Sequence, residues 1–211
     1  NGAGKTTLVK LLARLYDPDE GRILLDGHDL REYDLFELRR NVGVIFQDFV
    51  RFHLSAADNI AVGRIEARDD RERIAEAAER SLADEVIRRL PDQYDQSLGK
   101  RFRKGVDLSG GEWQKIAIAR AYMREAQVLI LDEPTAALDA RSEFEVFQRF
   151  KELSQGKTAV LISHRFSSVR MADRIVVLAD GSVEAIGTHA DLLAQNGRYA
   201  ELFELQAAGY R

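Results

Sequence analysis

Apolar and polar positions along the chain fall into two alternating kinds of run. Short apolar stretches at Arg22–Leu25, Val42–Phe46, Val128–Leu131, Ala159–Ser163 and Ile175–Leu178 have the length and composition of strands. Longer helix-like segments lie between them, among them Lys5–Leu15, Arg71–Leu90 and Gly111–Arg124. The alternation predicts an α/β fold around a largely parallel, buried sheet. Two extended runs flanking Asp180-Gly181 predict an antiparallel hairpin near the end, because that dipeptide suits a tight turn. From about Asp48 to Arg124 the pattern turns mostly helical, with charged faces at Glu66–Arg80, as if a helical insertion interrupted the core. The expected division is a core formed by 1–47 and 126–211 and a helical subdomain at 48–125, without a flexible linker.

Composition narrows the function classes. The 211 residues are 45% hydrophobic and 31% charged, too apolar for a disordered chain and long enough for a sizeable core. Basic residues number 31 and acidic 35, a net charge of −4, so no global basic field recruits nucleic acid and no direct nucleic-acid partner is expected. The absence of cysteine excludes disulfides, a thiolate nucleophile and a Cys-ligated zinc. No apolar run approaches the roughly 20 residues that cross a bilayer. The chain opens on Asn1-Gly2-Ala3-Gly4-Lys5 rather than on a Met or a signal sequence, which reads as a piece of a longer protein.

Three stretches carry chemistry. Asn1–Thr7 fits the end of a phosphate loop, G-x-x-x-x-G-K-[ST], whose first glycine would lie upstream. In such a loop backbone amides turn toward the phosphates, the following helix presents its positive end, Lys5 adds a point charge and the Thr6 hydroxyl holds Mg²⁺. A glycine-rich turn capping a helix is the bland alternative. Val128–Glu133 is an apolar strand ending in two carboxylates: Asp132 would organise Mg²⁺ while Glu133 would orient or deprotonate water, unless the pair is merely an acidic cap before Pro134. At Leu108–Glu112, Ser109 and the amides of Gly110 and Gly111 would form a second anion site at a helix start; a capping box between Ser109 and Glu112 fits equally.

Taken in order, these motifs identify the chain as resembling the nucleotide-binding domain of ATP-binding cassette proteins, a P-loop NTPase core with a mostly parallel sheet, an antiparallel β portion and a helical signature subdomain. Asn1–Thr7 resembles Walker A, Gln47 the Q-loop glutamine, Leu108–Glu112 the signature, Val128–Glu133 Walker B, Ala136–Asp139 the D-loop and His164 the switch histidine, over essentially the whole length. The resemblance implies binding and hydrolysis of ATP with Mg²⁺ between two domains meeting head to tail. Asn1, Gly2, Ala3, Gly4, Lys5, Thr6 and Thr7 of one would hold the triphosphate, with Ser109, Gly110, Gly111 and Asp139 completing the nucleotide site. Glu133, His164, Lys5 and Gln47 would be catalytic, and Thr6, Gln47 and Asp132 would serve the metal. Two departures stand out: Glu112 replaces the commoner Gln, and Ala136-Ala137 opens a D-loop that often has serine.

Gln47–Phe52, Asp58–Gly63, Gly187–Leu193 and Tyr199–Gln206 further resemble the exporter branch, and Leu98–Gly105 stands where a loop meets the partner's coupling helix. The implied setting is the cytoplasmic face of a membrane, behind a transmembrane domain of the same polypeptide, with the chain truncated inside Walker A. A soluble cassette ATPase acting on DNA or ribosomes and a nucleotide-gated dimerisation module are the competing readings.

Overall fold

In the computed structural model, residues 4–101, 104–134 and 140–209 are described. The helices are α1 (Lys5–Leu12), α2 (Leu35–Asn41), α3 (Ala56–Ala61), α4 (Arg71–Arg80), α5 (Asp84–Ile87), α6 (Gly110–Arg124), α7 (Ala140–Leu153), α8 (Phe166–Val169), α9 (His189–Ala194) and α10 (Arg198–Gly209). The strands are β1 (Leu24–Leu25), β2 (His28–Asp29), β3 (Val42–Ile45), β4 (Val128–Asp132), β5 (Thr158–Ile162), β6 (Ile175–Ala179) and β7 (Ser182–Gly187). Asn1–Tyr33 with Leu161–Arg211 forms one compact unit and Asp34–Val160 a second.

Both hairpins of the first unit follow from a two-residue turn. Asp26 and Gly27 between β1 and β2, and Asp180 and Gly181 between β6 and β7, all have positive φ, the backbone that matches strand twist. The predicted run Arg22–Leu25 thus shrinks to a two-residue strand in an antiparallel pair. Thr188 and Asp191 form a capping box that starts α9. Ile175, Leu192 and Tyr199 make a small core with Phe166 and Val169 packed against it.

The second unit is built on β3 and β4, paired in parallel with Val42 opposite Val128 and Ile45 opposite Leu131; the sheet order is β3-β4-β5. Leu129, Ile130 and Leu131 are almost wholly buried, as expected of a strand covered on both faces. Against this sheet and against α3 and α4 lies α6, buried around most of its circumference through Trp113, Ile116, Ile118 and Met123. The mixed α/β architecture expected from the sequence is therefore present, as is the hairpin at Asp180-Gly181. The single helix expected over Arg71–Leu90 is not: it breaks into α4 and α5. The Ser81 hydroxyl donates to the Ala78 carbonyl at 3.0 Å and accepts the Ala83 N–H, while Leu82 sits at φ 62. A serine that bonds its own backbone competes with the helical ladder and ends it.

Candidate functional site

The parallel register decides which chemistry shares a sheet edge. With Ile45 opposite Leu131, Asp132 ends one strand and Glu133 follows it directly, while Gln47 follows the neighbouring strand, at the carboxyl edge where open α/β sheets bind ligands. Asp132 is buried, 6% exposed, whereas Gln47 is exposed. Glu133 has φ 44, a left-handed conformation that costs a non-glycine residue about 1 kcal/mol and breaks the strand at once. The next carbonyl, that of Pro134, accepts a hydrogen bond from the buried side-chain amide of Gln114 on α6. This bond ties the loop after β4 to the helix that begins at Ser109.

At that helix start the capping box does form. Ser109 Oγ accepts the Glu112 N–H at 3.3 Å, and the Glu112 carboxylate accepts the Ser109 N–H at 2.8 Å and lies 2.9 Å from Ser109 Oγ. The Glu at this position therefore places a carboxylate on the serine that the sequence offers as an anion donor. Ser109 itself is exposed.

A polar knot anchors the segment after Gln47. Fully buried Asn59 donates its side-chain amide to the carbonyls of Phe52, Leu54 and Ser55, and its Oδ1 accepts from Arg120 Nη2 at 2.7 Å. Arg120 on α6 also donates to the Asn59 carbonyl at 2.8 Å and the Val50 carbonyl at 2.7 Å, with its guanidinium 5.0 Å from the Phe52 ring centre. Burial pushes the Arg120 pKa down to about 10, so the group stays protonated at neutral pH. The stretch also pairs with Gln96 and Leu98: Leu98 N–H donates to Leu54 O, and Ala56 N–H to Gln96 O, each at 2.9 Å. Gly99 allows that approach, since a Cβ there would stand 2.3 Å from His53 Nδ1. Asn59→Ala would remove the side-chain bonds to three carbonyls and one of the Arg120 bonds, leaving the Phe52 carbonyl without the amide, so a loss of about 3 kcal/mol is expected in urea denaturation followed by tryptophan fluorescence at Trp113.

In the first unit, Gly4 caps α1 with φ 86 and no side-chain cap bond; only at Leu8 does the helical ladder close, Leu8 N–H donating to Gly4 O at 2.9 Å. The amides of Lys5, Thr6 and Thr7 thus precede the first intrahelical bond, with no acidic residue in that turn. Thr6 and Thr7 are exposed. His164 follows β5 by two residues, with an exposed side chain and a firmly held backbone. Ser163 Oγ accepts the Arg165 N–H at 3.0 Å, buried Ser168 Oγ donates to Arg165 O at 2.7 Å, and Gln206 reaches back from α10 to the His164 carbonyl at 2.7 Å.

Compared with known proteins, residues 1–136 match the sequence profile of the ABC transporter family. The chain belongs to that family. An ATP-dependent lipid A-core flippase of Salmonella paratyphi A (strain ATCC 9150 / SARB42) is 46% identical over 206 residues, and one of Escherichia coli (strain K12) is 45% identical. Each alignment covers 98% of this chain and 35% of the relative, so the chain spans about a third of those ABC proteins. A solved bacterial Atm1-family ABC exporter with ATP bound superposes with a TM-score of 0.89 at 40% identity, over 98% of this chain and 35% of that one.

Within this ABC chain, the second unit brings Gln47, Asp132 and Glu133 to one sheet edge and holds Ser109, Gly110 and Gly111 at the α6 start, while Gly4–Thr7 and His164 belong to the first. Asn1, Gly2, Ala3 and the D-loop with Asp139 lie outside the described residues. Sequence reading missed Gln114, Asn59, Arg120 and Gln206 as supports of the motifs. Gln114 and Arg120 lie on a helix plainly visible in the sequence, yet their polar partners come from distant loops and leave no periodic signal.

Proposed function

We propose that this chain is the ATP-hydrolysing domain of an exporter, acting as a head-to-tail pair on the cytoplasmic face of a membrane, joined to a transmembrane domain in a longer polypeptide. The carrying observation is the β3–β4 register, which sets Gln47 beside the Asp132-Glu133 strand end. Similarity to flippases and an exporter supports the branch. In functional terms 1–47 and 126–211 form the catalytic core and 48–125 the helical part that carries the signature.

The residues fit MgATP. Amides of Lys5, Thr6 and Thr7 at the α1 start, after Gly4, and the Lys5 ammonium bind phosphate oxygens. Mg²⁺ favours hard oxygen donors and few carboxylates; by the family resemblance Asp132, which is buried, the Thr6 hydroxyl and the Gln47 amide would hold it, and when bound it would neutralise charge on the phosphates. Glu133 takes the proton of the attacking water as its oxygen bonds the γ-phosphorus and the bond to the ADP oxygen breaks; that proton then leaves with phosphate. His164 steadies the γ-phosphate, Gln47 conveys the state of the site to the membrane domain, and Ser109, Gly110 and Gly111 of the partner subunit close the opposite face. Asp139 would complete the nucleotide site.

Reconstitution tests this reading. The complete polypeptide in liposomes should hydrolyse ATP and flip labelled lipid A-core, the first probe because the named relatives act on it. Lys5→Ala should lower hydrolysis by about 10²-fold or more and stop flipping with it. Undiminished hydrolysis in the variant would remove Lys5 from phosphate binding. ATP-independent transport by the wild type would overturn the engine role.

A further inference from the structure

Helix α10 carries Tyr199, Phe203 and Gln206 at positions i, i+4 and i+7, hence on one face. That face meets the segment beginning at His164. The Phe166 ring stands edge-on to Tyr199 at 5.1 Å and to Phe203 at 5.3 Å between centroids. One turn further along, Gln206 Nε2 donates to the His164 carbonyl at 2.7 Å and Gln206 Oε1 accepts the Phe166 N–H at 3.2 Å. A primary amide is suited to this, since it presents a donor and an acceptor side by side. Its two partners bracket Arg165, so one side chain spans the backbone turn from which the His164 imidazole projects.

We propose that Gln206 is a positioning residue for His164: through paired bonds to the backbone on either side of Arg165, helix α10 sets where the imidazole stands in the hydrolytic site. The proposal rests on the reading of His164 as a γ-phosphate contact. Ser163 and Ser168 hold the Arg165 N–H and carbonyl of the same turn, and Gln206 holds the residues on either side of it. Losing the Gln206 bonds lets the turn relax while the ring contacts of Phe166 with Tyr199 and Phe203 remain. Displacement of a catalytic group by an ångström or less weakens transition-state contacts more than ground-state binding, so the effect falls on kcat rather than on KM.

The complete transporter carrying Gln206→Leu, similar in shape without either bond, tests this. Its kcat should fall by about tenfold with the KM for MgATP nearly unchanged. Gln206→Glu keeps the acceptor for Phe166 N–H and turns a carboxylate oxygen toward the His164 carbonyl; it should show the same loss at an unchanged melting temperature, which separates positioning from folding. In single-turnover assays His164→Ala and the double variant His164→Ala/Gln206→Leu should be equally slow. If Gln206→Leu slows the His164→Ala protein by a further tenfold, or if Gln206→Glu turns over at the native rate, Gln206 does not act through the histidine. Native turnover by His164→Ala alone would instead sink the reading of His164 itself.

Discussion

Glu133→Gln in the complete protein should lower single-turnover ATP hydrolysis by about 10²–10³-fold, the usual loss when a positioned general base is removed. MgATP affinity should stay near native. The amide matches the carboxylate in size, so the turn at φ 44 and the bond from Gln114 to the Pro134 carbonyl are retained. What disappears is the capacity to accept a proton from water, together with one negative charge beside the phosphates. Because ATP would bind without being consumed, the closed pair should accumulate and be visible as a nucleotide-dependent dimer by light scattering. Hydrolysis near the native rate would show that the proton leaves by another route.

Mixing two inactive variants should restore activity. Lys5→Ala disables the phosphate loop and Ser109→Arg obstructs the α6 start, yet a pair formed from one of each has one composite site in which both halves are intact. Random pairing makes roughly half of all dimers mixed, each with one working site of two, so about a quarter of wild-type turnover is expected if sites act independently. Ser109 is exposed at the helix start, as a group that must meet another chain should be. No recovery together with concentration-independent turnover by the wild type would show that each chain hydrolyses ATP alone.

Much of this was legible in the order of residues. A helix preceded by Gly4, an apolar strand ending in Asp132-Glu133 and a turn at Asp180-Gly181 are local features. Their signals lie within a few residues, because positive φ suits glycine, strand ends follow the last apolar residue and caps act over one helical turn. The candidate chemical groups were legible at the same level. So was the α/β class, since runs of strand and helix alternate along the chain.

The supports of those groups were decided elsewhere. Arg120 reaches Asn59 and Val50 across 61 and 70 residues, Gln114 reaches Pro134 across 20, and Gln206 reaches His164 across 42. Each bond joins a side chain to a backbone carbonyl, and a carbonyl is the same at every residue, so its sequence neighbourhood carries no mark of the partner. Ser81 shows the same limit at short range: helical periodicity runs through it, and its side chain ends the helix only because its hydroxyl bonds the local backbone. The sequence by itself determined the α/β class and which groups the motifs offer as candidates for the chemistry. Only the tertiary structure decided what holds them in place, because burial obliges polar groups to find partners wherever the folded chain brings them.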